Sequence, residues 1–139
     1  MAGQLHLRVI TPDRIALDTR VSGLRVPALD GSIGILPRHA DMLAALDIGV
    51  LHYTEGGQSR DLFVSGGFLE VAKNEVRVVT QAGERPEEID EQRAREAEKR
   101  ARERLRTGRT PGGEPLDLLR VELALRRALM RLSARNSAE

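Results

Sequence analysis

From Leu5 to Val79 the apolar residues of this chain recur mainly at every second position, and from Ala94 onward they recur at every third and fourth. No single element satisfies both periods. A strand presents alternate side chains to one face, whereas a helix presents positions i, i+3 and i+4. The change falls on Gly83-Glu84-Arg85-Pro86-Glu87-Glu88-Ile89-Asp90. It predicts a β domain over residues 1–84 and a helical tail over residues 85–139, an α+β chain that is mostly β.

Within the first part, Leu5, Leu7 and Val9 alternate with His6 and Arg8, and Val21, Leu24, Val26, Leu29 and Ile33 continue a pattern interrupted by Gly and Pro. Turn signals stand at Asp30-Gly31, at Glu55-Gly56-Gly57-Gln58 and at Lys73-Asn74-Glu75, the last two flanked by strand-like runs that read as hairpins. Short strands punctuated in this way predict an antiparallel β-sandwich of about eight to ten strands. Ser65-Gly66-Gly67 lacks the order of a nucleophile elbow and fits a tight strand entry that needs glycine backbone freedom.

The second part predicts an αα-hairpin, with helices at about 87–106 and 117–134. Pro86 suits a first helical turn, and Glu87, Glu88, Asp90 and Glu91 suit the positive end of the helix dipole. Glu91 with Arg95, Glu96 with Arg100, and Glu98 with Arg102 have i,i+4 spacing in the favourable order. The inward stripe of the first helix is small, being Ala94, Ala97, Ala101 and Leu105, and permits close approach of another helix. Gly108 and the Gly- and Pro-rich connection stop it, Asp117 is placed to cap the second helix, and Leu118, Val121, Leu125, Ala128, Leu129 and Leu132 form a broader stripe. A hairpin this small is marginal alone. It must therefore rest on the sandwich, a partner or a ligand, with modest differences between those states.

Composition excludes several chemistries. Cysteine is absent, so there is no disulfide framework, thiolate metal site or cysteine nucleophile. His6, His39 and His52 share no metal-ligand spacing, and no carboxylate pair stands out as an acid and base, so no catalytic residue and no metal site are expected. Acids and bases nearly balance and aromatics are scarce, which argues against nucleic acid as a partner. No apolar run approaches the roughly 18 residues of a membrane span, and the amino terminus does not read as a signal peptide. The second helix is locally basic: Arg120, Arg126, Arg127, Arg131 and Arg135 face only Asp117 and Glu122 in charge. That is either a solvated face or a contact for an acidic partner or an anion.

Gly31-Ser32-Ile33-Gly34-Ile35-Leu36-Pro37-Arg38-His39-Ala40, the Leu43 to Gly49 segment and Val64-Ser65-Gly66-Gly67-Phe68-Leu69-Glu70-Val71, followed by a two-helix tail, resemble the ε subunits of F-type ATP synthases over nearly the whole chain. The resemblance implies a non-catalytic rotor subunit whose sandwich attaches to the γ subunit and the c-ring. Gly31, Ser32, Arg38, His39, Asp41 and Met42 fall in the segment that corresponds to the rotor contact. Arg38 and Asp41 stand where the family commonly has glycine and proline, and Ser32 where many members have glutamate. It also implies a tail that lies on the sandwich or rises into the catalytic head. In the raised state Arg120, Arg126, Arg127, Arg131 and Arg135 meet an acidic segment of the β subunit, within the α/β head, and impede ATP hydrolysis. A static adaptor without nucleotide sensing is the alternative.

Ile89-Asp90-Glu91-Gln92-Arg93-Ala94 is similar to the I/L-D-x-x-R-A motif with which bacterial members bind ATP between the folded helices. Carried over by position, the resemblance places Glu84, Ile89, Asp90 and Ala94 near adenine and ribose, and Arg93, Arg100, Arg127 and Arg131 toward the phosphates. ATP is then a regulatory ligand, with or without magnesium, and there is no Gly-rich loop for its hydrolysis. The expected location is peripheral, on the cytoplasmic face of a bacterial plasma membrane.

Overall fold

Alternation at the amino terminus produces the first strand. Leu5, Leu7 and Val9 are fully buried while His6 and Arg8 lie on the other face, as a half-buried strand requires. The computed structural model describes residues 3–137, and the outermost ends expected for the two parts, Met1 and Glu139, lie outside them. Eight strands follow in order: β1 Leu5–Ile10, β2 Ile15–Val21, β3 Gly23–Ala28, β4 Gly31–Ile35, β5 Met42–Glu55, β6 Gln58–Ala72, β7 Glu75–Val79 and β8 Gly83–Glu84. Their order in the sheet is β2-β1-β7-β6-β5-β3-β4, with β8 paired to β6.

The sandwich arises because β5 and β6, of 14 and 15 residues, are long enough to serve both layers. They hold one register from Met42 opposite Val71 to Glu55 opposite Gln58. The first half of β6 pairs with β8 and its second half with β7. Leu5, Leu7 and Val9 of β1 thereby share one core with Leu24 and Val26 of β3 and with Leu51, Leu62, Val64, Leu69 and Val71 of the long hairpin. One pair departs from the expected antiparallel pattern: β1 and β7 run parallel, His6 opposite Glu75. Their connection passes through the whole sandwich, and a crossover of that length permits the parallel sense that a short turn forbids.

The β5–β6 hairpin closes on Gly56 (φ 57°) and Gly57 (φ 80°), and the β6–β7 hairpin closes on Lys73 (φ 52°) and Asn74 (φ 62°). Both are two-residue loops with two left-handed positions, the twist that matches antiparallel strands. Gly67 lies within β6 and not at a strand entry. Its φ is 108°, and a Cβ there would come within 1.9 Å of the Val79 carbonyl oxygen.

The first helix begins later than its acidic run suggests. Pro86–Glu88 forms a separate 3₁₀ turn, Ile89 is extended, and α1 spans Glu91–Thr107 with Asp90 as its cap. Asp90 accepts a hydrogen bond from the Arg93 amide at 3.0 Å, a use of the side chain that ends the competition for the start of the helix. Gly108 at φ 72° closes α1 in the left-handed conformation. The second helix, α2, spans Leu118–Ser137, beyond the expected end at 134, and Asp117 accepts from the Arg120 amide at 3.3 Å. Arg95–Glu91 and Arg102–Glu98 form as expected. Glu96 instead accepts from Gln92, and Arg100 takes no carboxylate partner among the described residues.

Ala94 and Ala101 of α1 are buried, as are Val121, Ala128 and Leu132 of α2. A different side of α2 meets the sandwich: Ala134 is fully buried in a second cluster with Ile48, Phe63 and Ile89, and Leu123 and Met130 pack against it. The hairpin therefore rests on the sandwich. No helix is long and apolar enough among the described residues to cross a membrane.

Candidate functional site

Between α1, α2 and the sheet-to-helix segment Gly83–Asp90, the hinge, lies a cleft of about 450 Å³. Its floor is Ala94, Ala97, Ala124 and Ala128, and its walls are Glu84, Glu88, Asp90, Arg93, Arg100, Arg127 and Arg131. Small side chains at the helix contact leave room that leucines would fill. β8, the 3₁₀ turn and the cap of α1 supply the acids because the chain leaves the sheet there and bends directly into α1.

The acids of the cleft are already occupied. Glu84 receives Arg131 through two bonds of 2.9 and 3.2 Å, and Arg131 also lies over the Phe63 ring at 4.6 Å. Glu88 pairs with Arg14 at 2.8 Å, and Asp90 is committed to capping α1. Arg93, Arg100 and Arg127 have no ion pair among the described residues. The result is a concave, alanine-floored site with three uncompensated guanidinium groups, an arrangement suited to an anion with several oxygens.

Of the residues that sequence placed at a nucleotide, the structure brings together Glu84, Asp90, Arg93, Ala94, Arg100, Arg127 and Arg131. Ile89 is not among them. It is 4% exposed and packs on Ile48, Phe63 and Ala134, because its extended backbone turns the side chain into the sandwich. Arg131 stands apart from the other three arginines, since Glu84 holds it. Glu88 and Arg14 were missed. Glu88 follows Arg85 at capping-box spacing, which was a usable signal, and Arg14 carried none.

The five arginines of α2 do not form one exposed face in this arrangement. Arg126 binds Asp47 of β5 at 2.8 Å, Arg131 binds Glu84, and Arg127 lines the cleft. Arg120 is exposed, and the Arg135 Nε is buried without a hydrogen-bond partner. The Arg126 guanidinium holds the Asp47 carboxyl below its ordinary value, with the Ile48 amide adding to the effect against burial. Beyond Arg135, the Ser137 hydroxyl donates to Asp61, which also meets His52 at 2.6 Å.

The expected rotor-contact residues fall in two places. Arg38, at φ 67°, donates its amide to Asn74 on the β6–β7 turn at 2.7 Å, and His39, Asp41 and Met42 follow it into β5. Gly31 and Ser32 lie at the β3–β4 turn, in a cavity of about 450 Å³ shared with Arg126 and Met130. The sequence reading overlooked Leu29, Leu43 and Phe68, which surround Ala45 and stay 63%, 72% and 40% exposed. Leu43 and Ala45 sit on the outer face of β5, where alternation alone calls for polar side chains, and an apolar patch of that kind marks an interaction surface.

Fold and cleft define a class: a β-sandwich bearing a docked helical hairpin, with free guanidinium groups gathered where the two helices and the hinge meet. Residues 4–86 match the family described as ATP synthase, Delta/Epsilon chain, beta-sandwich domain, and residues 87–136 match its long alpha-helix domain. The chain belongs to the ATP synthase delta/epsilon family. It is 42% identical to an ATP synthase epsilon chain of Nitratidesulfovibrio vulgaris over 138 residues, 99% of this chain and 100% of that one. It is 50% identical to that of Carboxydothermus hydrogenoformans over 111 residues, 80% and 82% of the two chains. In fold it is similar to a chain of the Euglena gracilis mitochondrial ATP synthase OSCP/F1/c-ring structure, with TM-score 0.76, 24% identity and coverage of 97% of this chain and 80% of that one.

Proposed function

We propose that this chain is a non-catalytic rotor subunit of a proton- or sodium-translocating F-type ATP synthase that couples the catalytic head to the c-ring and restrains ATP hydrolysis through its tail. Family membership supports the assignment to the complex, and bacterial epsilon chains as relatives support a peripheral position on the cytoplasmic face of the plasma membrane. The γ subunit and the c-ring are the partners of the sandwich, with the outer face of β5 and the Arg38–Met42 segment as the docking surface. The exposed Leu29, Leu43 and Phe68 support an apolar contact there.

ATP in the interhelical cleft is the regulatory ligand. The observation that carries this reading is that Arg93, Arg100 and Arg127 line the cleft without ion pairs while its two glutamates are ion-paired and Asp90 caps α1. A polyphosphate relieves the mutual repulsion of the guanidinium groups and joins α1 to α2. It therefore favours the docked hairpin by mass action. When the hairpin leaves the sandwich, Arg126 and Arg131 part from Asp47 and Glu84 and, with Arg120, Arg127 and Arg135, become available to an acidic segment of the β subunit.

Calorimetry of the full chain with ATP, with and without magnesium, tests the ligand. Saturable heat is expected from the wild type, with at least tenfold weaker binding, about 1.4 kcal/mol, for Arg93→Ala and for Arg127→Ala. No saturable heat from the wild type removes the nucleotide role and leaves a static adaptor.

A further inference from the structure

One acid of the cleft is paired with Arg14, a residue that belongs to neither the hinge nor the tail. Glu88 lines it, and a free carboxylate at that position repels the phosphates of any anion bound beside it. Both oxygens of Glu88 are occupied. Oε1 accepts from the Arg85 amide at 3.0 Å, and Oε2 meets Arg14 Nη1 at 2.8 Å. The other terminal nitrogen of Arg14 donates to the Gly83 carbonyl at 2.9 Å. One guanidinium thus bridges the two ends of the segment through which the chain passes from sheet to helix.

Arg14 is itself held in place. It ends the β1–β2 turn, where the Thr11 amide donates to the Arg14 carbonyl at 2.9 Å. The Thr11 hydroxyl also donates to that carbonyl at 3.0 Å, and the Arg14 amide lies 3.2 Å from the same hydroxyl oxygen. Burial pushes the Glu88 carboxyl up, and the Arg85 amide and the Arg14 guanidinium outweigh it, so the group lies below its ordinary value. Glu88 is therefore an anion whose charge is answered from the sandwich.

We infer that Arg14, on the β1–β2 turn, is a positioning residue of the nucleotide cleft: by neutralising Glu88 it lets the cleft accept a polyphosphate. This rests on the nucleotide reading above. The two glutamates of the cleft are then neutralised from two separate elements, Glu84 by Arg131 of α2 and Glu88 by Arg14 of the sandwich. The charge balance that favours an anion exists only while sandwich, hinge and α2 are assembled. Nucleotide affinity in this chain therefore depends on the sandwich, through Arg14, as well as on the helices.

The test is calorimetry of the full chain with ATP for the wild type, Arg14→Gln, Arg14→Lys, Glu88→Gln and the double variant Arg14→Gln/Glu88→Gln. Glutamine at 88 keeps an acceptor for the Arg85 amide and removes the charge. Arg14→Gln is expected to weaken binding about tenfold, with Arg14→Lys and the double variant returning within about threefold of the wild type. A merely structural role for Arg14 predicts no such return, because Glu88→Gln restores no contact that Arg14 made. Wild-type affinity in Arg14→Gln, or a loss that Glu88→Gln leaves unrelieved, overturns the inference while the nucleotide reading stands. If Arg14→Gln does not fold, Glu88→Gln alone decides: binding at least as tight as wild type supports the inference and weaker binding overturns it. An absence of saturable heat from the wild type overturns both.

Discussion

Gly67 has less room than any other glycine of the sandwich. Its left-handed φ and the Val79 carbonyl, which a Cβ would approach to 1.9 Å, forbid a side chain without moving β7. Gly67→Ala is expected to destabilise the chain by at least about 2 kcal/mol, read as a lowered urea midpoint, whereas alanine at the exposed turn position Gly31 is expected to cost less. The same scale separates the arginines. Arg93, Arg100 and Arg127 were singled out as candidate nucleotide ligands only through a family motif and its positions, since composition and helical spacing equally fit a solvated face. Whether an arginine is free depends on which carboxylate folding brings beside it, so Arg131, held by Glu84, could not be told from the others. Ile89 has the same explanation: its place in the motif suggested a ligand contact, and its backbone puts it in the core.

The element that holds the tail on the sandwich is α2. Its apolar anchor is Ala134, fully buried against Ile48, Phe63 and Ile89, and a larger side chain there overpacks the contact. Ala134→Leu is expected to weaken docking by about 1–3 kcal/mol, and faster amide exchange confined to α2 and the Ile89 segment would report it. The polar part of the contact depends on pH. Because Arg126 holds the Asp47 carboxyl below its ordinary value, the pair contributes fully above a pH of about 4 and is lost as pH falls through the lower docked value. Both side chains are partly solvated, at 48% and 27% exposure, so the contribution is at most about 1 kcal/mol. The urea midpoints of the wild type and Asp47→Asn should therefore differ slightly at neutral pH and converge in strong acid; a gap that persists in acid would show that Asp47 acts by packing. Boundaries of α1 were less legible than its existence. Proline followed by acids fits either a helix start or an isolated 3₁₀ turn, and the choice fell to Asp90 as the cap.

At the scale of the whole molecule, one chain joins a β-sandwich to a hairpin that is marginal alone and is held on it by the Ala134 cluster and the Arg126–Asp47 and Arg131–Glu84 pairs. Deleting residues 87–139 is expected to leave the sandwich folded and the ATP synthase complex assembled, and to raise its ATPase activity. Unchanged activity at every nucleotide concentration would remove the inhibitory role and leave coupling. The order of parts needed no tertiary information: alternation in strands, the two left-handed turns after β5 and β6, the alanine and leucine stripes apart from Leu118, which is 55% exposed, and the stop at Gly108 all depend on residues close along the chain. Only the tertiary structure decided that β1 runs parallel to β7, that α2 lies on the sandwich through Asp47 and Glu84, and that Arg14 reaches Glu88. Those outcomes depend on groups lying from 47 to 79 residues apart in the chain. Local periodicity constrains each segment's own conformation and says nothing of which distant charge will stand beside it.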